Sequence, residues 1–424
     1  MNIVTKIQSW LFNNRTTEQT IAKNAFWLFF GQIIGRLLRA SIVIYAARVL
    51  GAAEWGAFSY ALGVAAFLTI FSDIGINALV TKEASRKPEL KDQYLSTAFF
   101  TKLALVSILI IAALIVFPYL TNIEAAMGLM PILIFVFAFD TLRDLGSALS
   151  RALEKMEIEA LVHIFTNLAI VIIGFLLLGR FGTSLSLATA YAIGSGLGLL
   201  AIIAVLWRHF KNIFSNFNKA LVKEILATAW PFGLLGLMGV INLNTDIVML
   251  GWIRTAEEVG YYSAAQKIIQ LLYILPAVFA SGVFPALSRI VQNDRLSAKK
   301  LLRKTVMISM SAAVIFSAIG IFGADLGVET LFGKEYLPAV SALQILMATL
   351  LVVYPSTLLG NAIFAYDHQK SFVWLVLAAI FGNIFFNILL IPNWGIEGAA
   401  VSTLITQLII NTMIWLKIKK IGGI

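Results

Sequence analysis

Long apolar stretches recur along nearly the whole chain, and short polar segments separate them. Each stretch is about as long as a helix needs to be to cross a bilayer, which is roughly 20 residues. None has the strict alternation of a membrane β-strand. The pattern therefore predicts an all-α polytopic membrane protein with about 12 transmembrane helices. We number these spans 1 to 12, and they cover residues 24–48, 55–80, 94–118, 127–150, 158–179, 184–207, 226–253, 259–286, 304–323, 338–364, 371–391 and 396–416.

The composition excludes several classes of protein and of site. Of the 424 residues, 60% are hydrophobic and 13% are charged, and the mean hydropathy is +0.89. A soluble protein carries about 25% charged residues, so the composition excludes a soluble enzyme. With no Cys and three scattered His residues, we expect no metal site. A phosphate-binding G-x-x-x-x-G-K-[ST] loop is missing, so the chain is not expected to be an ATPase. No other catalytic site can be argued, and we expect a transporter that is not an enzyme and has no cofactor.

The basic residues predict the orientation in the membrane. Of the 32 Lys and Arg residues, 23 fall in segments on the side of the N-terminus and four fall in segments on the other side. Because cytoplasmic loops collect Lys and Arg, both termini are predicted to be cytoplasmic. The same rule accounts for the net charge of +10, so we expect no nucleic-acid partner.

An internal repeat predicts two lobes. The outer segment VLGAAEWGAFSYA (49–61) aligns without gaps with IRTAEEVGYYSAA (253–265), and five of the thirteen positions are identical. Both segments follow the first helix of a six-helix block. We therefore predict two six-helix lobes related by a pseudo-two-fold axis along the membrane normal. The predicted N-lobe covers 21–207, a cytoplasmic linker covers 208–225, and the C-lobe covers 226–424.

Residues 1–20 are predicted to form an N-terminal interfacial segment. Apolar residues in its first half recur at helical spacing between polar ones, which is typical of a helix lying on the membrane. A frayed tail is the alternative that the pattern leaves open.

Two stretches resemble the oligosaccharide flippases, the polysaccharide-biosynthesis membrane proteins that export O-antigen and capsule repeat units. The first is KNAFWLFFGQIIGRLLRASIVIYAARVLGAAEWGAFSYALGVAAFLTIFSDIGINALVTKEASR (23–86), and the second is IPNWGIEGAAVSTLITQLI (391–409). The wider superfamily includes lipid II flippases and multidrug extruders. The resemblance implies a bacterial inner-membrane protein that flips undecaprenyl-pyrophosphate-linked oligosaccharide to the outer leaflet by alternating access, for O-antigen or other lipopolysaccharide assembly.

Basic residues inside the spans are candidate ligands for the pyrophosphate that the resemblance implies. Gln32, Arg36 and Arg39 share one face of span 1 at helical spacing. The planar guanidinium of Arg suits phosphate oxygens, although an ion pair with an acid on a neighbouring helix is the alternative. Lys102 of span 3 and Lys267 of span 8 are further candidates. Lys102 could also extend to the interface, and Lys267 could pair directly with Asp246.

Carboxylates inside the spans are candidates for ion coupling, because a charge at mid-bilayer normally faces protein or water. They are Asp73, Asp140, Asp144 and Asp246. Helix-end or purely structural charges are the alternative. Amide and hydroxyl stripes lie on span 11 (Asn383, Asn387) and span 12 (Thr403, Gln407, Asn411), and they could join helices or bind sugar hydroxyls.

Three rival functions stay open at this stage. A cation-coupled multidrug exporter would favour an acid in span 1, where this chain has two arginines. The lipid II flippases have fourteen helices, and this chain has room for about twelve. A membrane-embedded polymerase or ligase would show larger outer loops. The partners expected from the resemblance are the lipid-linked oligosaccharide, membrane lipids, and a polysaccharide polymerase with chain-length proteins. We expect a monomer.

Overall fold

A computed structural model describes residues 11–14, 16–366 and 368–421. This part of the chain is helical almost throughout and contains no β-strand, which confirms the all-α prediction. The α-helices are Thr17–Asp73, Ile76–Arg86, Lys91–Leu120, Glu124–Ala152, Met156–Phe181, Ser184–Val205, Trp207–Phe210, Lys219–Ile253, Ala256–Leu272, Ile274–Asn293, Arg295–Phe322, Ala324–Phe332, Val340–Ala348, Leu350–Ala365 and Gln369–Lys420. Short 3₁₀ turns cover Pro88–Leu90 and Lys334–Ala339.

Ten helical stretches in the described residues are long and apolar enough to cross a membrane. Two of them, Thr17–Arg86 with 70 residues and Trp374–Lys420 with 47, are far too long for one crossing. The first has non-helical backbone at Gly51 and the second at Gly395. These two points separate spans 1 from 2 and 11 from 12, so the predicted twelve spans are recovered and the chain is a multi-pass membrane protein.

Both breaks are held by charged side chains. Gly51 has φ 73° and Gly395 has φ 52°, a left-handed backbone that only glycine adopts readily. Beside the first, the Glu335 carboxylate accepts a hydrogen bond from the Ala52 amide at 2.7 Å. Beside the second, the Arg254 guanidinium donates to the carbonyls of Ile391 at 3.0 Å and Pro392 at 2.8 Å. Each partner satisfies backbone groups that the interrupted helix leaves without intrahelical bonds.

The two repeat segments contact each other reciprocally. A Cβ atom on Gly56 would overlap the carbonyl oxygen of Ala256, and a Cβ atom on Gly260 would overlap that of Ala52. The backbones therefore touch at two equivalent points, as small residues four apart allow in membrane helices.

Contacts divide the chain into two units. One contains the chain up to Leu50 together with Ala61–Val240, and the other contains Gly51–Tyr60 with Ile241–Ile424. Residues 51–60 of the first repeat segment thus belong to the second unit. The predicted lobe boundaries at 207 and 226 stay a prediction.

Each unit has its own apolar interior. In the first, Leu95, Leu145 and Ile202 are fully buried among spans 2, 3, 4 and 6. In the second, Leu302 and Ile363 are fully buried among spans 8 to 12. Large apolar side chains also cover the outer faces, for example Ile108, Leu176 and Leu200, which are more than 60% exposed. Lipid is the environment in which such a surface is stable.

The predicted interfacial segment falls mostly outside the described residues, since positions 1–10 and 15 are not among them. What is described of it packs on span 1. The Trp27 indole donates to the Leu11 carbonyl at 2.7 Å, and the Phe12 ring lies 5.3 Å from the Trp27 ring.

The predicted orientation is testable with single cysteines, because the chain has none of its own. Cysteine at Thr183 or Trp394, both exposed and in predicted outer loops, should react with an impermeant thiol reagent applied to whole cells. Cysteine at Lys87 or Ser297, both exposed and in predicted cytoplasmic segments, should react only after permeabilisation. Labelling at Lys87 in intact cells would reverse the orientation.

Candidate functional site

A polar cavity of about 430 Å³ lies within the first unit. Spans 1, 2, 4 and 5 supply nearly all of its wall. Its polar lining residues are Gln32, Asp73, Asn77, Arg143, Asp144, Ser147, Arg151, Glu159 and His163. Such a set of charges on membrane helices is stable only against protein or water. The cavity therefore gives these polar side chains an environment that lipid would not provide.

Of the three polar residues predicted to share one face of span 1, Gln32 lines this cavity. Arg36 follows Gln32 by one turn on the same face, and its side chain is exposed. It makes no hydrogen bond or ion pair with any residue in the described part of the chain. Arg39 is half-buried instead. Its Nε donates to Asn167 Oδ1 at 3.0 Å, and its guanidinium lies 5.1 Å from the centre of the Tyr191 ring.

Lys102 is completely buried and paired. Its Nζ donates to Asp73 Oδ1 and to Asn77 Oδ1, both at 2.8 Å. The expectation that its ammonium extends to the interface is wrong, because burial without these two oxygens would leave the charge unsolvated. The pair also fixes Asp73, whose carboxylate stays about one-third exposed at the cavity wall.

Arg143 of span 4 joins the two acids of its own helix. Its guanidinium lies 2.6 Å from Asp140 Oδ1 and 2.9 Å from Asp144 Oδ1. Asp144 is exposed to the cavity, whereas Arg143 is nearly buried. This cluster of one arginine and two acids carries one net negative charge.

The cavity also contains residues that sequence reasoning missed. Arg151, directly after span 4, pairs with Glu159 of span 5, and both residues line the cavity. His163 follows Glu159 by four residues, and Asn167 follows His163 by four more. This spacing places all three on one face of span 5. An i, i+4, i+8 polar stripe in an apolar helix was the signal that could have found them.

A second polar cluster lies in the second unit around Asp246 of span 7. The carboxylate accepts hydrogen bonds from uncharged donors on three other spans. The donors are Tyr262 hydroxyl at 2.6 Å, Thr403 hydroxyl at 2.6 Å, Asn383 amide at 3.1 Å and Asn387 amide at 2.8 Å. Among the described residues, Asp246 has no ion pair, so the predicted direct pair with Lys267 is wrong.

This cluster gathers oxygen atoms around a buried charge. Asp246 is 6% exposed and Asn387 is fully buried. The Asn387 Oδ1 atom is buried without any hydrogen-bond partner. A buried carboxylate, an orphaned amide oxygen and a hydroxyl are the ligand types that a hard cation or a bound proton satisfies. The amide stripe on span 11 and Thr403 of span 12 therefore converge on Asp246.

Comparison with known proteins places the chain among membrane transporters. The family model described as "Polysaccharide biosynthesis protein" matches residues 21–291. A probable low-salt glycan biosynthesis flippase of Haloferax volcanii is 24% identical over 93% of this chain and 82% of its own length. A putative O-antigen transporter of Escherichia coli is 23% identical over 94% of this chain and 96% of its own length.

Solved structures give the same fold. The lipid II flippase MurJ in an inward closed conformation superposes with a TM-score of 0.78 and 19% identity, covering 93% of this chain and 87% of that one. A multidrug resistance MATE transporter in its inward-facing conformation gives a TM-score of 0.71 and 14% identity, covering 94% and 98%. These likenesses confirm the two-lobe helical fold.

Proposed function

The chain belongs to the polysaccharide biosynthesis protein family, and from that membership we propose that this transporter flips undecaprenyl-pyrophosphate-linked oligosaccharide units from the inner to the outer leaflet. The relatives named as a glycan flippase and an O-antigen transporter support the substrate class. We place it in the bacterial cytoplasmic membrane with both termini inside, acting by alternating access and not as an enzyme. A polysaccharide polymerase and chain-length proteins are its proposed partners.

The observation that carries the proposal is the free cation on span 1. Arg36 lies on the same helical face as the cavity-lining Gln32, and it has no partner in the described part of the chain. An unpaired guanidinium in a membrane helix is costly, so a ligand that neutralises it is favoured. Its planar fork matches phosphate oxygens and forms charge-assisted hydrogen bonds with them.

Arg39, Lys102 and Lys267 are proposed as further pyrophosphate ligands. Arg39 is held by an amide and an aromatic ring, neither of which neutralises its charge. Lys102 already donates to Asp73 and Asn77, so binding through Lys102 requires those bonds to open. Lys267 is half-buried on span 8.

We propose Asp246 as the strongest candidate for ion coupling. Its carboxylate is buried, surrounded by uncharged donors and next to the orphaned Asn387 oxygen. Asp73, Asp140 and Asp144 are already paired with Lys102 or Arg143, which lowers the gain from binding a further cation. Inward movement of a proton or sodium ion would supply the energy.

Reconstitution separates the proposed function from its rivals. Purified protein in liposomes is given a fluorescent undecaprenyl-pyrophosphate oligosaccharide, lipid II or a cationic dye, and accessibility in the outer leaflet is followed with and without an ion gradient. We expect movement of the oligosaccharide lipid, with empty liposomes as control. Movement of lipid II alone would identify a lipid II flippase, and movement of the dye alone would identify a drug exporter. Either result overturns the proposal.

A further inference from the structure

A chain of hydrogen bonds runs from Arg39 to the backbone of its own helix through two side chains of span 5. Arg39 Nε donates to Asn167 Oδ1 at 3.0 Å. The Asn167 amide nitrogen lies 3.3 Å from His163 Nε2 and donates to the His163 carbonyl at 2.7 Å. His163 Nδ1 lies 3.3 Å from the carbonyl oxygen of Gly31.

The two ends of this chain fix the direction of every bond in it. A guanidinium can only donate, so Asn167 must present its oxygen to Arg39 and its NH₂ group to His163. A carbonyl can only accept, so His163 must carry its proton on Nδ1, facing Gly31. The imidazole is then neutral, and its Nε2 lone pair accepts from Asn167. In this one protonation state, each donor in the series from Arg39 to Gly31 faces an acceptor.

Close packing of spans 1 and 5 holds the ring in place. A Cβ atom on Gly35 would overlap the His163 ring and come within 3.1 Å of Asn167 Nδ2. A Cβ atom on Gly31 would lie 2.8 Å from the Cβ atom of Ala160. Two glycines one turn apart thus form the notch that receives His163, and the ring cannot turn away without displacing span 1.

A proton on Nε2 cannot be accommodated in this arrangement. The imidazolium would point an N–H group at the Asn167 NH₂ group, donor against donor. Turning the amide over restores that contact, but it then points NH₂ at Arg39 and oxygen at the His163 carbonyl. Both the bond to Arg39 and the bond to the carbonyl are lost. Protonation of His163 and retention of Arg39 by Asn167 therefore exclude each other.

We propose that His163 and Asn167 are positioning residues for Arg39, and that a proton taken up by His163 from the cavity releases Arg39 to bind the pyrophosphate of the substrate. The neutral ring holds Arg39 at high pH, and the imidazolium frees it at low pH. The ligand rests on the proposed function, whereas the proton-dependent release of Arg39 does not.

The charges that face the ring have both signs. The groups on the surrounding helices are Arg39 of span 1, Asp73 of span 2, Arg143 and Asp144 of span 4, Arg151 directly after span 4, and Tyr191 of span 6, with Glu159 on the ring's own helix. Arg143 and Arg151 are each paired with carboxylates, and Lys102 lies behind Asp73. Arg39 is the cation that the amide joins to His163, so repulsion adds to the donor conflict.

Titration of His163 by nuclear magnetic resonance tests the release without any substrate. The chain has three His residues, so ¹⁵N-histidine labelling gives three rings, and His209→Gln and His368→Gln assign the other two. We expect the wild-type ring to carry its proton on Nδ1 at about pH 8 and to gain a second on Nε2 on acidification. Asn167→Leu removes the donor conflict, so the midpoint should rise by about one pH unit, a tenfold easier protonation.

Asn167→Asp is the second variant, because it keeps the shape of the side chain. Its carboxylate accepts from Arg39 and from the imidazolium together, so the midpoint should rise further than in Asn167→Leu. Gly320→Ala, in the second unit, is a packing control that should leave the midpoint unchanged. An unchanged midpoint in both Asn167 variants, or a proton on Nε2 at high pH, would overturn the proposal.

Binding of a short isoprenyl pyrophosphate sugar, esterified at both ends so that its own charge stays constant over this pH range, to the purified full-length protein tests the ligand. Wild-type affinity should rise about tenfold from pH 8 to pH 5.5, which is the gain expected from one charge-assisted hydrogen bond. His163→Gln should remove this pH dependence, and Asn167→Leu should bind with the higher affinity throughout. By linkage, the ligand must raise the His163 midpoint in wild type by the same factor. If the midpoints move as expected but no pyrophosphate binds, the proposed substrate fails and the proton-dependent release stands.

Discussion

Replacing Arg36 with alanine is expected to nearly abolish transport of lipid-linked oligosaccharide. Two charge-assisted hydrogen bonds from one guanidinium contribute about 1.5–3 kcal/mol each. Their loss corresponds to about 3–6 kcal/mol, or at least a hundredfold in binding. The measurement is complementation of surface-polysaccharide export in a strain that lacks its own flippase, with the amount of protein in the membrane determined alongside.

Two further variants decide why transport falls. Arg36→Lys keeps the charge and loses the bidentate fork, so export should be impaired only partly. Arg180→Ala is the matched control, because Arg180 is an exposed arginine in the same unit, at the end of span 5 and outside the cavity lining. It should export at the wild-type rate. A well-expressed Arg36→Ala variant with normal export would place the pyrophosphate site elsewhere.

The twelve spans were predictable because the membrane imposes one local requirement on each. Every crossing needs roughly 20 apolar residues, and that requirement is visible without knowing any partner. The two helix breaks were less visible. The helix Thr17–Asp73 contains span 1 and most of span 2, and the break at Gly51 is stabilised by a carboxylate almost 300 positions along the chain, Glu335. A sequence pattern carries no information on such a distant partner.

The pairing of intramembrane charges could not be read from the sequence for the same reason. Asp246 and Lys267 both lie in the outer halves of neighbouring spans, which favoured a direct pair. The carboxylate instead meets Asn387 and Thr403, more than 140 positions away. The sequence showed polar stripes on spans 11 and 12. That both stripes contact Asp246 depends on how four helices pack, which the sequence does not show.

His163 was overlooked because histidine was considered only as a metal ligand. Its position depends on two features: the four-residue spacing from Glu159 to His163 to Asn167, and the two glycines of span 1 that lie opposite. Either pattern alone is common in membrane helices. Together they place a titratable ring against the backbone of the helix that carries Arg36 and Arg39. Sequence spacing could have suggested the stripe, but not the notch that receives it.

Replacing Asp246 with asparagine is expected to remove ion-driven transport while the protein stays folded. The substitution keeps the size of the side chain and removes the charge that would hold the coupling ion. It also replaces one acceptor oxygen by an NH₂ group, which opposes the donors that now converge there. Transport driven by an imposed proton or sodium gradient should fall by at least a hundredfold, because a cation bound there would lose the negative charge of this carboxylate.

Loss of transport in Asp246→Asn could come from lost ion binding or from lower stability of the protein, since several hydrogen bonds end on this carboxylate. A stability measurement distinguishes the two. If the cluster binds an ion, that ion should raise the melting temperature of the wild-type protein, as any ligand of the native state does. Asp246→Asn should lose this response, whereas Asp325→Asn, which changes an exposed acid in the same unit, should keep it. Substrate exchange without an ion gradient should survive in Asp246→Asn. If that variant still follows the gradient as the wild type does, the coupling site is not Asp246, and the cluster only joins spans 7, 8, 11 and 12.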